Sequence, residues 1–183
     1  KPIKLLVQDK YVRAFPGGVG YAKAAGNYGG AMYPTMQARK EGFDQILWVD
    51  GYEHKYLQEC GTMNVFAIIG NKALTPDLSQ GTILEGVTRA SVMSVLEDMG
   101  FTVEERPVSI DEIVAAYKDG TLREVFGTGT AASVAYVEQL NYQNEQLTLD
   151  TTKYDVGREV IQRLDAIRTG RAEDTRNWNF KIS

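Results

Sequence analysis

The sequence predicts a mixed α/β fold of the α+β kind. Strand-like and helix-like segments alternate along the chain, and several of the strand-like pairs are joined by turns too short to hold a crossover helix. Hydrophobic residues make up 43 % of 183 residues, enough for one substantial core. Short strand-to-strand turns argue against a purely parallel, doubly wound sheet. No low-complexity stretch, repeat or linker divides the chain, so residues 1–183 are read as a single domain.

Each element has a local cause. Residues 3–7 are apolar enough for a strand, and residues 15–20, carrying Pro16, Gly17, Gly18 and Gly20, must be loop. A helix is expected over residues 31–41, stopped by Gly42. The run QILWV, Gln45–Val49, suits a buried strand ending at the Asp50–Gly51 turn. Residues 56–59 and 64–69 read as strands parted by Gly61, and residues 88–99 as a helix ending before Gly100. A strand over 101–108 leads to Ser109, which forms a capping box with Glu112 for a helix reaching Lys118. Strands 124–126 and 132–137 flank a turn at Gly127, Thr128 and Gly129. A last helix, 154–169, places Val156, Val160, Ile161, Leu164 and Ile167 at helical spacing.

Composition excludes several function classes. A net charge of −4 provides no basic field for nucleic acid, and no apolar run is long enough to span a membrane. A single cysteine, Cys60, precludes an internal disulfide and fits a reducing compartment, the cytoplasm by default. His54, the one histidine, sits in a polar turn, and no metal site is expected. The chain opens at Lys1, without methionine, directly into an apolar strand, so it is expected to be a piece of a longer protein.

Three glycine-bearing turns could carry chemistry: Gly26 to Gly30, Gly86 with Val87 and Thr88, and Gly127 to Thr130. The second stands before a helix, where free N–H groups and the positive dipole end suit a phosphate, although such a turn is often an ordinary cap. The third could form a nest of N–H donors for an anion. Lys23 lies among small residues, a setting that could desolvate an amine for Schiff-base chemistry, although most lysines are solvated surface residues.

Taken together, four strings in order are specific: AKAAGNYGGA (22–31), QECGTMN (58–64), LEGVTR (84–89) and EVFGTGTA (124–131). With RAFPGG (13–18) and the acidic and arginine residues before Trp178, they resemble the branched-chain amino acid aminotransferases over essentially the whole chain. The resemblance implies the lysine-bearing C-terminal domain of the fold type IV enzymes, pyridoxal 5′-phosphate as cofactor, and transfer of an amino group between leucine, isoleucine or valine and 2-oxoglutarate. Lys23 would hold the cofactor as a Schiff base and shuttle the proton. Glu59 would face the ring nitrogen, and Tyr28 the phenolic oxygen. Gly86, Val87, Thr88 and Thr130 would cradle the phosphate, while Thr62, Met63, Thr130 and Ala131 would line the substrate side. Without the resemblance, Glu59 reads as a solvated charge, Tyr28 as a core tyrosine and Met63 as a core filler.

The resemblance also implies a homodimer and an N-terminal domain, absent here, that supplies an arginine to the phosphate and much of the side-chain pocket; the chain alone is expected to be impaired. Arg13 precedes the lysine and could assist electrostatically, but it is not assigned to that arginine's task. Ala25 stands where glycine is usual, which negative φ would tolerate. Glu85 stands where proline is common and should point away from the phosphate. A redox Cys-x-x-Cys is replaced by Ala132 and Ala135, so no thiol switch is expected, and Cys60 reads as a passive buried thiol. D-amino-acid aminotransferases and aminodeoxychorismate lyases share the fold and remain alternatives, as does a non-catalytic domain.

Overall fold

The computed structural model describes residues 1–131, 133–180 and 182. The strands are β1 (Ile3–Gln8), β2 (Gln45–Val49), β3 (Leu57–Cys60), β4 (Met63–Ile69), β5 (Lys72–Thr75), β6 (Thr102–Glu105), β7 (Leu122–Gly129), β8 (Ser133–Tyr142) and β9 (Glu145–Thr148). The helices are α1 (Ala25–Lys40), α2 (Val87–Asp98), α3 (Ile110–Lys118) and α4 (Val156–Arg168), with a 3₁₀ turn at Thr151–Lys153. The sheet runs β3-β2-β1-β8-β7-β4-β5-β6, and β3 also pairs with β4, so six strands close on themselves as a barrel. β1 is parallel to β2 and β8, and β5 to β6, while the other pairs are antiparallel. The mixed architecture expected from the short turns is the one observed.

Packing sorts the apolar residues into three groups. Leu5, Val7, Leu47, Val49, Leu57, Cys60, Val65 and Val137 belong to the largest core cluster, to which α3 adds Ile110 and Ile113. Phe66, Ile68 and Phe126 are covered by α2 and α4 through Val92, Val95, Leu96, Val156 and Val160. Ala38 of α1 packs on Ile46 and Trp48 of β2. Buried Glu124 fixes α4: its carboxylate accepts from the N–H groups of Asp155, Val156 and Gly157 at 2.7–2.8 Å, satisfying donors that a helix start leaves free.

Several expectations are corrected. The segment Gly26 to Gly30 is not a glycine turn, because α1 begins at Ala25. Buried Asn27 donates to the carbonyls of Val19 and Ala22, both at 2.9 Å, and so anchors the first turn. Gly127, Thr128 and Gly129 form no turn and no nest: they are extended in β7 and paired with β8, and Gly127 and Thr128 pair with β4 as well. The reversal follows at Thr130, and Ala132, where the next strand was expected to begin, lies outside the described residues. The strand expected over 101–108 shortens to β6, and the last helix starts at Val156. Tyr154, placed in that helix by its spacing, is instead a buried strut that donates to the Val137 carbonyl at 2.7 Å. The short strands β5 and β9 were not foreseen. The Ser109 cap is present, accepting from the Glu112 N–H at 3.1 Å, whereas the Glu112 carboxylate turns to Arg106.

Candidate active site

The sheet places the acidic residue by miscounting. Leu47 of β2 pairs with Cys60, but Val49 pairs with Leu57, so β3 carries one residue more than its partner. This bulge keeps Leu57 and Cys60 in the barrel core, while the two residues between them, Gln58 and Glu59, line cavities. Both are buried. Gln58 lines a cleft of about 250 Å³ with Asp50, Glu53 and Asp77, and its Oε1 has no partner among the described residues. Glu59 lines a different cavity, shared with Arg13, Lys23, Tyr28, Thr62 and Leu84.

Glu59 is held on one side. Its Oε1 accepts from the Leu84 N–H at 2.8 Å and lies 3.1 Å from Nη2 of buried Arg13. Burial pushes its carboxyl above the usual value, opposed by the Arg13 guanidinium, the Leu84 N–H and the Lys23 ammonium in that order. Lys23 thus stands within electrostatic reach of Glu59. The small residues around it do not bury it, however: in this chain Lys23 is exposed. Tyr28, in the opening turn of α1, is 46 % exposed rather than in the core.

The neighbouring cavity, about 550 Å³, is lined by Lys23, Tyr28, Thr62, Met63, Gly86, Val87, Thr88, Thr130 and Ala131, with Asn64 and Thr128. Every residue marked out in the sequence for cofactor or substrate therefore lines one of these two adjoining spaces. Gly86 is the N-cap of α2; no side chain caps the helix, its first turn carries no acid, and Val87 and Thr88, whose N–H groups a helix start leaves free, line the cavity. Glu85 lines the cavity too and is exposed. Ala25 is the first helical residue, so its φ is negative as required. Gly61, at φ +60°, turns the β3–β4 hairpin that presents Thr62 and Met63.

Two contributors escaped the sequence reading. Asn64 is buried and donates from Nδ2 to the Leu84 carbonyl at 2.9 Å, while its Oδ1 lies where a side chain on Gly86 would have to go. The only signal for it was the last letter of the string QECGTMN. Thr128 is fully buried, and its hydroxyl has no partner among the described residues. Cys60 sits in the core with its thiol pushed up to about 12 by burial and by Glu59, in keeping with a passive thiol. Among the described residues, no group of three or more His, Cys, Asp or Glu is placed to hold a metal ion, and no helix is long and apolar enough to cross a membrane.

Comparison with known proteins gives this arrangement its context. The family model for class IV amino-transferases matches residues 6–140. The chain is 42 % identical to a probable branched-chain-amino-acid aminotransferase of Staphylococcus aureus (strain N315) and 43 % identical to branched-chain-amino-acid transaminase 1 of Bacillus subtilis (strain 168). Each match covers 100 % of this chain and 51 % of the relative, so the chain spans about half the length of the curated relatives it matches. A solved structure of the Escherichia coli branched-chain amino acid aminotransferase superimposes with a TM-score of 0.80 at 24 % identity, over 97 % of this chain and 56 % of that one. A second branched-chain amino acid aminotransferase, solved in complex with N-(5′-phosphopyridoxyl)-L-glutamate, superimposes with a TM-score of 0.78 at 27 % identity, over 97 % of this chain and 55 % of that one. The fold is that of the fold type IV aminotransferases, and the chain belongs to the class IV amino-transferase family.

Proposed function

We propose that this chain is the lysine-bearing domain of a pyridoxal 5′-phosphate-dependent transaminase that moves an amino group between branched-chain L-amino acids and 2-oxoglutarate. The observation that carries the reading is spatial: an amine, a buried carboxylate and an uncapped helix N terminus open onto adjoining cavities. The names of the relatives favour the branched-chain substrates.

The residues present fit the cofactor. The α2 N terminus offers N–H groups that a helix start leaves free and a positive dipole end to a phosphate; its first turn carries no acid, and the acid nearby, Glu85, precedes the N-cap and is exposed. The orphaned Thr128 hydroxyl lies in the wall of the same cavity. When bound, pyridoxal phosphate supplies an electron sink for the charge left on the substrate α-carbon. Gly86, Val87, Thr88 and Thr130 would hold its phosphate, Tyr28 its phenolic oxygen and Glu59 its ring nitrogen. Lys23 Nζ would anchor it and then take up and return the proton of the α-carbon, the task of a positioned base. Thr62, Met63, Thr130 and Ala131 would line the substrate side, the last two offering backbone N–H groups to a carboxylate.

The test adds pyridoxal phosphate to the full-length protein and to its Lys23→Ala variant. A visible absorption band in the first and not in the second is expected, with a loss in transamination rate of at least about 10²-fold. Identical spectra would overturn the assignment of Lys23. Faster turnover of D-alanine than of L-leucine, L-isoleucine or L-valine would overturn the substrate class.

A further inference from the structure

We infer that Arg13 is a positioning residue: its buried guanidinium fixes the Glu59 carboxylate and ties to it the two segments that carry Lys23 and the N terminus of α2. The inference deepens the reading above and rests on it. Arg13 touches neither cavity's proposed chemistry directly; it acts through Glu59.

The geometry is a hub. The side chains of Arg13 and Glu59 are 8 % and 5 % exposed. Arg13 Nη2 lies 3.1 Å from Glu59 Oε1 and donates to the Thr82 carbonyl at 2.6 Å and the Gly20 carbonyl at 3.2 Å. Gly20 leads directly into the turn that presents Lys23, and Thr82 into the loop that ends at Gly86. These two segments meet backbone to backbone, because a Cβ on Gly20 would lie 2.6 Å from the Thr82 oxygen and 2.5 Å from the Ala14 Cβ. Leu84, in the same loop as Thr82, donates from its N–H to the same Glu59 Oε1. One carboxylate oxygen is thereby committed to the protein. The other, Oε2, accepts no hydrogen bond among the described residues and is free to face a ring nitrogen.

Charge gives the hub its use. A carboxylate this deeply buried would take up a proton unless a cation stood beside it, and a protonated Glu59 could not hold a proton on a ring nitrogen. The titratable groups that face Glu59 are Arg13 and Lys23 from the β1–α1 connection and Tyr28 from α1, with Cys60 next to it on β3. Of the two cations, Lys23 is exposed and would be engaged with cofactor and substrate. Arg13 is buried with Glu59, and a guanidinium keeps its charge throughout the physiological range. All three of its contacts run through one nitrogen, Nη2, while Nε is buried without a partner among the described residues.

The experiment follows the Glu59 carboxyl directly, by ¹³C NMR titration of the cofactor-free full-length protein labelled at glutamate Cδ, with Glu59→Gln to assign the resonance. Arg13→Met is expected to raise the Glu59 midpoint above that of the wild type by at least about one pH unit, and Arg13→Lys to fall between. In the loaded enzyme, Arg13→Lys should lower kcat by at least about 10-fold with little change in KM. A folded Arg13→Met protein with an unmoved Glu59 midpoint would refute the inference. If that variant does not fold, an unmoved midpoint in Arg13→Lys refutes it. Failure of the Lys23→Ala spectral test would remove the cofactor reading and leave the carboxyl titration still decisive for Arg13.

Discussion

The tightest contact in the site yields a sharp prediction for Gly86→Ala. A Cβ built on Gly86 lies 2.2 Å from Asn64 Oδ1, far inside any real contact, and 3.5 Å from the Arg89 Cβ, which is ordinary. Asn64 is 6 % exposed and held by its 2.9 Å bond to the Leu84 carbonyl, so its oxygen cannot swing aside without breaking that bond. Leaving a buried carbonyl unpaired costs about 1–3 kcal/mol, and shifting the helix start instead costs a similar amount as overpacking. A destabilisation of roughly 2–4 kcal/mol follows, which for a chain of this size lowers Tm by roughly 5–15 °C. Thermal unfolding of the full-length variant measures it, and titration with pyridoxal phosphate should show weakened uptake, because the displaced segment leads to the Val87 and Thr88 N–H groups. Removing the obstacle tests the cause. In an Asn64→Ala background, Gly86→Ala should cost under about 1 kcal/mol. If the two substitutions instead add within about 0.5 kcal/mol, the clash is not what makes glycine necessary, and the reasoning fails.

Two further outcomes concern stability. Glu124→Gln keeps the shape but replaces an anion that accepts three backbone N–H groups with an amide that can accept fewer, so α4 should loosen and urea unfolding should report a loss of about 2–3 kcal/mol; a loss below about 0.5 kcal/mol would mean the carboxylate does not secure the helix. The Cys60 thiol should ignore a thiol reagent at about pH 8 until the protein unfolds, since only the thiolate reacts. Its folded value, about 12, stands above the ordinary 9.0, so the folded state keeps the proton longer. The associated stability is intact below pH 9.0 and declines as pH rises from there toward 12, by at most about 1.4 kcal/mol per pH unit. A Cys60→Ser protein with the same alkaline decline would show that another group is responsible.

What could be read from the chain depended on whether its cause was local. β2 was legible because five consecutive residues, four of them apolar, suit a strand buried between β1 and β3. α3 was legible because Ser109 caps it in the expected way. α1 was mistaken at its start because its glycines look like a turn, while Tyr28, Met32, Tyr33 and Met36 lie on an open face and leave no amphipathic stripe to read. β7 was mistaken at Gly127 and Gly129 because glycines suggest a turn, whereas both are extended and Gly127 serves packing: a Cβ there would lie 3.0 Å from the Met63 Cε. The site residues emerged from motif resemblance, and the structure places them around adjoining spaces. The partnership of Arg13 with Glu59 could not be seen at all, because it joins residues brought together only when the barrel closes.

The bulge in β3 has a consequence for how this site could be altered. Leu57 and Cys60 are both pinned in the barrel, so the pair between them behaves as a two-way fork whose prongs open into different spaces. Exchanging the two letters, Gln58→Glu with Glu59→Gln, would leave composition, length and net charge untouched. It would nevertheless carry the acid out of the lysine's neighbourhood and set it among Asp50, Glu53 and Asp77. Deleting either letter would restore even counting along the strand, with Leu57 and Cys60 still facing inward and one residue between them where the fold now has two. The odd residue, more than the identity of its neighbours, is what aims the carboxylate.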